Sequence, residues 1–211
     1  LTPQGGSTNL FHANVLKELL EPIAHPQCIG VWFGFPCGTF SPARRNDGGP
    51  PPLRGTNGKD IEGLPHLRGK ERARVNSANK LLLRMNELMK HCEGNSVPLY
   101  LERPQTSKLW MHPLIRKWAQ HKTSHKVEFD YCQFGTDWKK STTILSVGNL
   151  KLHTGKKIKC KVSWRDGSSI CSNTGNLMLR SQDLQMVPAK DTTRTTKHAH
   201  IRWIFAGTLL S

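Results

Sequence analysis

Two short apolar runs, Cys28–Phe35 and Val97–Glu102, stand on either side of one long amphipathic stripe, Glu71–Cys92. That order constrains the fold more than any other feature of the chain. The first run is rich in strand formers and bounded by turn-prone residues, so it reads as a buried strand, and the second reads likewise. Between them Val75, Ala78, Leu81, Leu82, Met85, Leu88 and Met89 recur on one helical face. Arg72, Arg74, Lys80, Arg84 and Lys90 make the other surface basic, and Gly94 is expected to end the helix. A strand–helix–strand succession points to a crossover within an α/β sheet.

The flanking segments extend the alternation. Asn9–Glu21 reads as a helix with Leu10, Val15, Leu16, Leu19 and Leu20 on one face, capped by Asn9 or Thr8 and stopped by Pro22 and Pro26. Ser107–Gln120 reads as a Trp-rich helix interrupted near Pro113, and Lys126–Cys132 and Thr142–Val147 as two further strands. Pro36–Gly69 is rich in Pro and Gly and poor in large apolar residues, so it reads as a long functional or disordered loop.

Beyond about Leu150 the texture changes. Lys151–Arg165 carries six Lys and Arg and no acid, and Asp191–His200 is polar and Thr-rich. The expected division is an α/β domain over residues 1–150 and a small basic β-rich or irregular appendage over residues 151–211. No stretch reaches the roughly 18–20 apolar residues of a membrane span.

Charge narrows the partners. Thirty-one Lys and Arg against fifteen Asp and Glu leave a net charge of +16. Such an excess is the electrostatic footprint of a polyanion binder, most often nucleic acid. Lys156, Lys157, Lys159, Lys161 and Arg165, with Trp164 beside them, could track phosphates and stack a base. The six Cys contain no C-x-x-C pair, so reduced thiols are expected rather than a disulfide framework. His153, Cys132, Cys160 and Cys171 match no common zinc-finger spacing, and no metal site is expected. The expected location is intracellular, and nuclear if the source is eukaryotic.

Two elements carry chemistry. In Gly34–Arg44 (GFPCGTFSPAR) Cys37 follows a Pro at the end of an apolar strand, where ligands of α/β sheets gather. Nearby Arg44 and Arg45 could favour its thiolate. In Leu101–Trp110 (LERPQTSKLW) Glu102 ends the next buried strand, and a buried carboxyl can hold or share a proton near neutrality.

These residues resemble the cytosine-C5 DNA methyltransferase family. GFPCGTFS is similar to that family's nucleophile loop, LERP to its Glu-Asn-Val element, and FGTDWKKSTTI (Phe134–Ile144) to its Phe/Tyr-Gly-Val-Pro-Gln segment with alternating Arg. The elements look most like methyltransferase-like domains encoded in mobile elements and viruses, and the resemblance covers about Asn9–Val147. It implies a partial Rossmann-like methyltransferase sheet, DNA as partner and S-adenosylmethionine as cofactor. It also implies roles. Cys37 would add to C6 of a cytosine, and Glu102 would hydrogen-bond or protonate N3. Lys140 would touch the base, and Pro36 would shape the turn. Ser41, Arg44 and Arg45 would lie in the loop that closes over the base. The base would have to leave the duplex, or belong to a single strand.

The chain departs from the pattern. Gly38 stands where Gln is usual, Arg103 where Asn helps to organise the nucleophile loop, and Thr142 at the second Arg. The acidic-x-Phe-x-Gly-x-Gly strand and loop that holds the cofactor in the family does not precede Ile29. A sheet without its first strands would expose an unpaired edge, to be covered by a partner or a further segment. The expected function is that of a SAM-dependent methyltransferase-like protein, a fragment or decayed relative of the family; the alternative is a non-catalytic nucleic-acid-binding module.

Overall fold

A computed structural model of the chain describes residues 13–35, 38–44, 48–134, 136, 139–149 and 160, with strands at 162–165, 168–171 and 202–206. Helix α1 (Ala13–Ala24) leads into β1 (Cys28–Gly34), then α2 (Gly69–Gly94), β2 (Leu99–Pro104), α3 (Pro113–Ala119), β3 (Ser124–Asp130) and β4 (Ser141–Val147). Strands β5 (Val162–Arg165) and β6 (Ser168–Cys171) form an antiparallel pair, and β7 is Arg202–Ala206. The chain is a mixed α/β protein. Among the described residues no helix is long and apolar enough to cross a membrane.

The main sheet runs β3-β4-β2-β1-β7. Strand β1 pairs in parallel with β2 and with β7, whereas β4 lies antiparallel to both β2 and β3. The α2 crossover is what permits the parallel β1–β2 pair, because a short turn can join only antiparallel neighbours. The free β1 edge expected from the sequence is not free, since β7 occupies it. A strand from the region read as an appendage thus belongs to the main sheet.

Period-two alternation divides the side chains between two faces. Val31, Phe33, Leu99, Leu101, Leu145 and Val147 point to the helices, and pack with Ile23, Leu82, Met85, Met89, Ile115 and Trp118 into the principal core. Trp32, Tyr100, Val127, Phe129, Tyr131 and Ile144 cluster on the other face.

Several elements differ from expectation: β3 ends at Asp130, with Tyr131 and Cys132 in a 3-10 turn, and the Ser107–Gln120 stretch forms a 3-10 turn before the helix Pro113–Ala119. Helix α1 continues through Pro22 to Ala24, and Ile23 just beyond the proline is buried in the core. A proline near a helix end forfeits one backbone bond, and burial of the next residue offsets that loss. Strand β2 extends to Pro104, so Glu102 lies within the strand rather than at its end. Pairing with β1 stops at Gly34–Glu102, so Pro104 meets only β4 and its missing N–H leaves no β1 partner unsatisfied.

A further difference is the Pro- and Gly-rich segment. Its described part is a packed loop with a 3-10 turn at Gly58–Glu62 and a small core of Leu53, Leu67 and Val75, flanked by Leu64. Gly63 sits at φ +133°, and a Cβ there would meet Val75 Cγ1 at 2.7 Å, so only glycine fits.

Arg54 holds this loop together. Only 1% exposed, it donates from Nε to Thr39 Oγ1 (3.2 Å), from Nη1 to Ile61 O (2.7 Å) and Asn79 Oδ1 (2.8 Å), and from Nη2 to Val75 O (3.3 Å). Its guanidinium carbon lies 3.7 Å from the Phe40 ring centroid, a cation–π contact in a desolvated setting. Burial pulls its pKa down to about 10, against a smaller opposing pull from Glu62, so the group stays cationic at neutral pH. Lys108 closes the other side, donating from Nζ to Arg54 O and from its backbone N to Phe40 O.

Replacing Arg54 by Met keeps much of the volume but strands several buried acceptors, each costing about 1–3 kcal/mol when unpaired. The expected result for R54M is a loss of about 3 kcal/mol in urea unfolding, with faster proteolysis between residues 38 and 67. A change within about 0.5 kcal/mol, the usual range for a surface substitution, would contradict this assignment.

Candidate functional site

The register of β1 and β2 assembles the site. Gly34 pairs with Glu102, so the chain that continues to Cys37 leaves the sheet beside Glu102 and Arg103. Pro36, Cys37 and Arg45 themselves lie outside the described residues, as do Lys156, Lys157, Lys159 and Lys161; for Arg165 only the backbone is described.

Alternation sends Glu102 and Arg103 to opposite faces. Arg103 turns to the helix side, is 3% exposed, and donates from Nη1 to the carbonyl of Phe35 and from Nη2 to Ser107 Oγ at 3.5 Å. Phe35 is the last residue before Pro36-Cys37. Arg103 therefore grips the chain just before Pro36 and Cys37.

The far side of that loop is held by Arg44. Its Nε donates to Gly38 O and its Nη1 to Pro51 O, both at 3.0 Å. Arg44 thus ties the residue after Cys37 to the Pro-rich segment. Ser41 Oγ accepts from Ala43 N at 3.2 Å and shapes the same turn. Arg74 of α2 comes close as well: a Cβ on Gly38 would lie 3.9 Å from its Nη2. The α2 stripe that the sequence marks as basic reaches the loop through this residue.

Glu102 faces the aromatic side of the sheet and is partly exposed. Its Oε1 accepts from Tyr131 Oη at 2.9 Å and from Lys140 Nζ at 3.2 Å. Lys140 Nζ also stands 4.6 Å from the Tyr131 ring centroid, so the three groups form one cluster. Oε2 has no hydrogen-bond partner among the described residues. Thr142 is buried, and its Oγ1 donates to Lys140 O at 3.3 Å. It supports the backbone of Lys140.

Two supporting groups escaped the sequence reading. Tyr131 was legible only as part of a strand run; its meeting with Glu102 depends on which strand lies between β3 and β2. Burial, the hydrogen bond to Glu102 and the carboxylate charge together push the Tyr131 hydroxyl up to about 12. Asp130, buried beside it, accepts from Ser141 Oγ (2.5 Å) and from Cys160 N (2.6 Å), fixing the approach to Lys140.

The other thiols are placed differently. Cys28, Cys92, Cys132 and Cys160 are free, and all but the half-buried Cys28 are buried. Burial pushes the Cys28 thiol up and the Cys92 thiol up to about 12, which makes both poor nucleophiles. A cavity of about 330 Å³ lined by Glu93, Val97, His121 and Gly148 lies at the start of β2, the opposite edge from Glu102. No protein-family model, curated protein or solved structure matches this chain.

Tyr100 and Tyr131 are the only tyrosines, so phenolate absorbance isolates them. Removing the Glu102 charge removes the electrostatic effect and weakens the hydrogen bond that raise Tyr131, while burial, the largest effect, remains. In an alkaline titration E102Q is expected to move one of the two ionisations down towards the ordinary tyrosine value near 10 and leave the other in place. Superimposable titrations of the two proteins would contradict the Glu102–Tyr131 contact.

Proposed function

We propose that the chain carries the nucleophile half of a DNA cytosine-C5 methyltransferase. The observation that supports this most is the Lys140–Glu102 contact at 3.2 Å. Three motifs dispersed over about a hundred residues, each similar to a family element, converge on one sheet edge, and the cation and carboxylate assigned to the same base touch.

On this reading an unstacked cytosine lies over the carboxyl ends of β1 and β2. The Cys37 thiolate forms a bond to C6, and the C5–C6 π pair moves towards C5 and N3. A proton shared between Glu102 Oε2 and N3 neutralises the charge that develops there. Oε1, already occupied by Lys140 and Tyr131, holds the carboxylate in one orientation so that Oε2 faces the base. After C5 is alkylated, it loses its proton to solvent base, the C5–C6 double bond re-forms and the Cys37 thiolate leaves. Arg103 and Arg44 are positioning residues that fix the two flanks of the loop. The exposed cations of α2, Arg74 and Lys80 among them, supply phosphate contacts.

S-adenosylmethionine, when bound, supplies the methyl group that C5 takes. The described residues fit such a ligand in one respect: two parallel strand ends, β1 and β7, border the same sheet edge. Open α/β sheets bind ligands at that edge.

The decisive assay is covalent trapping on DNA that contains 5-fluorocytosine, with S-adenosylmethionine present. Fluorine at C5 blocks the final elimination, so a denaturation-resistant adduct is expected for the native chain and none for C37A. E102Q is expected to trap at least tenfold more slowly. No adduct, with DNA binding that weakens steeply as salt rises, would replace this reading with the non-catalytic binding module.

A further inference from the structure

The edge of the sheet opposite Glu102 holds a second site. A cavity of about 330 Å³ opens where β2 begins and β4 ends, walled by the C-terminus of α2 and by the turn from α3 to β3. We infer that this cavity binds a free α-amino acid with an apolar side chain. The site is independent of the methyltransferase reading, for neither Glu102 nor Lys140 lines it.

Glu93 supplies the acidic side, in the last turn of α2. A carboxylate there is at odds with the helix, whose C-terminus already carries partial negative charge, so a cation beside the two is favoured by both. His121 fixes the direction of this carboxylate. Its Nδ1 accepts from Thr123 N (3.3 Å) and from Thr123 Oγ1 (2.9 Å), and Thr123 Oγ1 accepts in turn from Gly148 N (3.1 Å). The ring proton therefore sits on Nε2, which donates to Glu93 Oε1 at 3.0 Å. A ring that accepts at one nitrogen and donates at the other is uncharged, so it orients Glu93 without neutralising it. Glu93 Oε2 has no partner among the described residues.

Lys122 supplies the basic side. It follows His121 in the turn, lines the same cavity and has no ion-pair partner among the described residues. Ser96 closes α2 at φ +57°, where glycine is usual, so its place in the wall brings a hydroxyl. The rest of the wall is apolar. Val97, Leu99 and Val147 line it, and Leu99 and Val147 are cross-strand partners that belong to the principal core.

These features match three parts of one ligand. An ammonium pairs with Glu93 Oε2 at the end of α2, a carboxylate with Lys122, and a hydrocarbon side chain with the apolar wall. A free amino acid carries both charges on one carbon, whereas a residue inside a peptide carries neither. A volume of about 330 Å³ suits a molecule of that size and lies at the small end of ligand pockets.

Calorimetric titration of the 211-residue chain with leucine, valine, methionine and phenylalanine tests this. The tightest binder is then compared with its amide, which lacks the carboxylate, with its N-acetyl derivative, which lacks the ammonium, and with glycine, which lacks the side chain. Saturable binding is expected for at least one of the four, and removal of either ligand charge is expected to weaken it by about tenfold or more, as for one charge-assisted hydrogen bond. E93Q and K122M, with circular dichroism and melting as controls for folding, are expected to weaken the parent amino acid to the same degree. E93Q is expected to leave the N-acetyl derivative unaffected, and K122M the amide. No saturable binding of any of the four at about 10 mM overturns the assignment. So does binding that either variant leaves unaltered, or glycine or the N-acetyl derivative binding as tightly as the parent. If a variant fails to fold, the ligand series on the native chain decides alone. Neither DNA nor Cys37 takes part in these titrations, so their outcome leaves the methyltransferase reading where it stands.

Discussion

The buried guanidinium of Arg54 is the constraint on which the rest of the site depends. A charge with 1% exposure is tolerated only when its donors are matched, and here Thr39, Ile61, Val75 and Asn79 supply acceptors while Phe40 supplies a π face. These partners lie on both ends of the Pro-rich loop and on α2. One side chain thereby converts a segment with little apolar content into an ordered platform next to β1. Arg103 and Arg44 continue the arrangement, one donating to the carbonyl of Phe35 and the other to that of Gly38. Under the proposed function, such support would let a nucleophile meet its target at a fixed angle.

The second constraint is the parity of β2. Adjacent residues of a strand face opposite ways, so Glu102 and Arg103 serve two different layers. Arg103 organises the loop from the helix side. Glu102 works on the aromatic side, where Tyr131 and Lys140 reach it from η-turn and strand-entry positions flanking β3 and β4. The antiparallel insertion of β4 between β3 and β2 is what brings Lys140, at the entry of β4, within 3.2 Å of Glu102. Reversal of a single strand thus decides whether the third motif joins the first two.

Much of this was legible in the chain. The helix-period stripe of α2 and the apolar runs of β1 and β2 were strong signals because each repeats one period over several residues. Cys37 and Glu102 could be picked out because each sits at the end of an apolar run with its own chemistry, and Lys140 only through the resemblance. Arg54 could not, since one arginine in a Pro- and Gly-rich stretch looks like any solvated cation. Its partners become visible only when Val75 and Asn79 of α2 are known to pass beneath it. Tyr131 was hidden for a similar reason, as its role depends on strand order. The pairing of β7 with β1 joins residues more than 160 positions apart, and no local period reports a contact of that range. Pro104 misled the boundary of β2 because a proline argues against a paired strand, and here the β1 side of the strand had already ended.

The proposed function requires Cys37 to be presented to an incoming base, in contrast to Cys28, Cys92, Cys132 and Cys160, which are buried or half-buried. Peptide-resolved alkylation with iodoacetamide measures this directly, with and without a cytosine-containing single-stranded oligonucleotide. The account predicts that Cys37 is modified first, ahead of Cys28, Cys92, Cys132 and Cys160, and that the oligonucleotide slows its modification selectively. A Cys37 that reacts no faster than the buried thiols, or that the oligonucleotide does not protect, would contradict it.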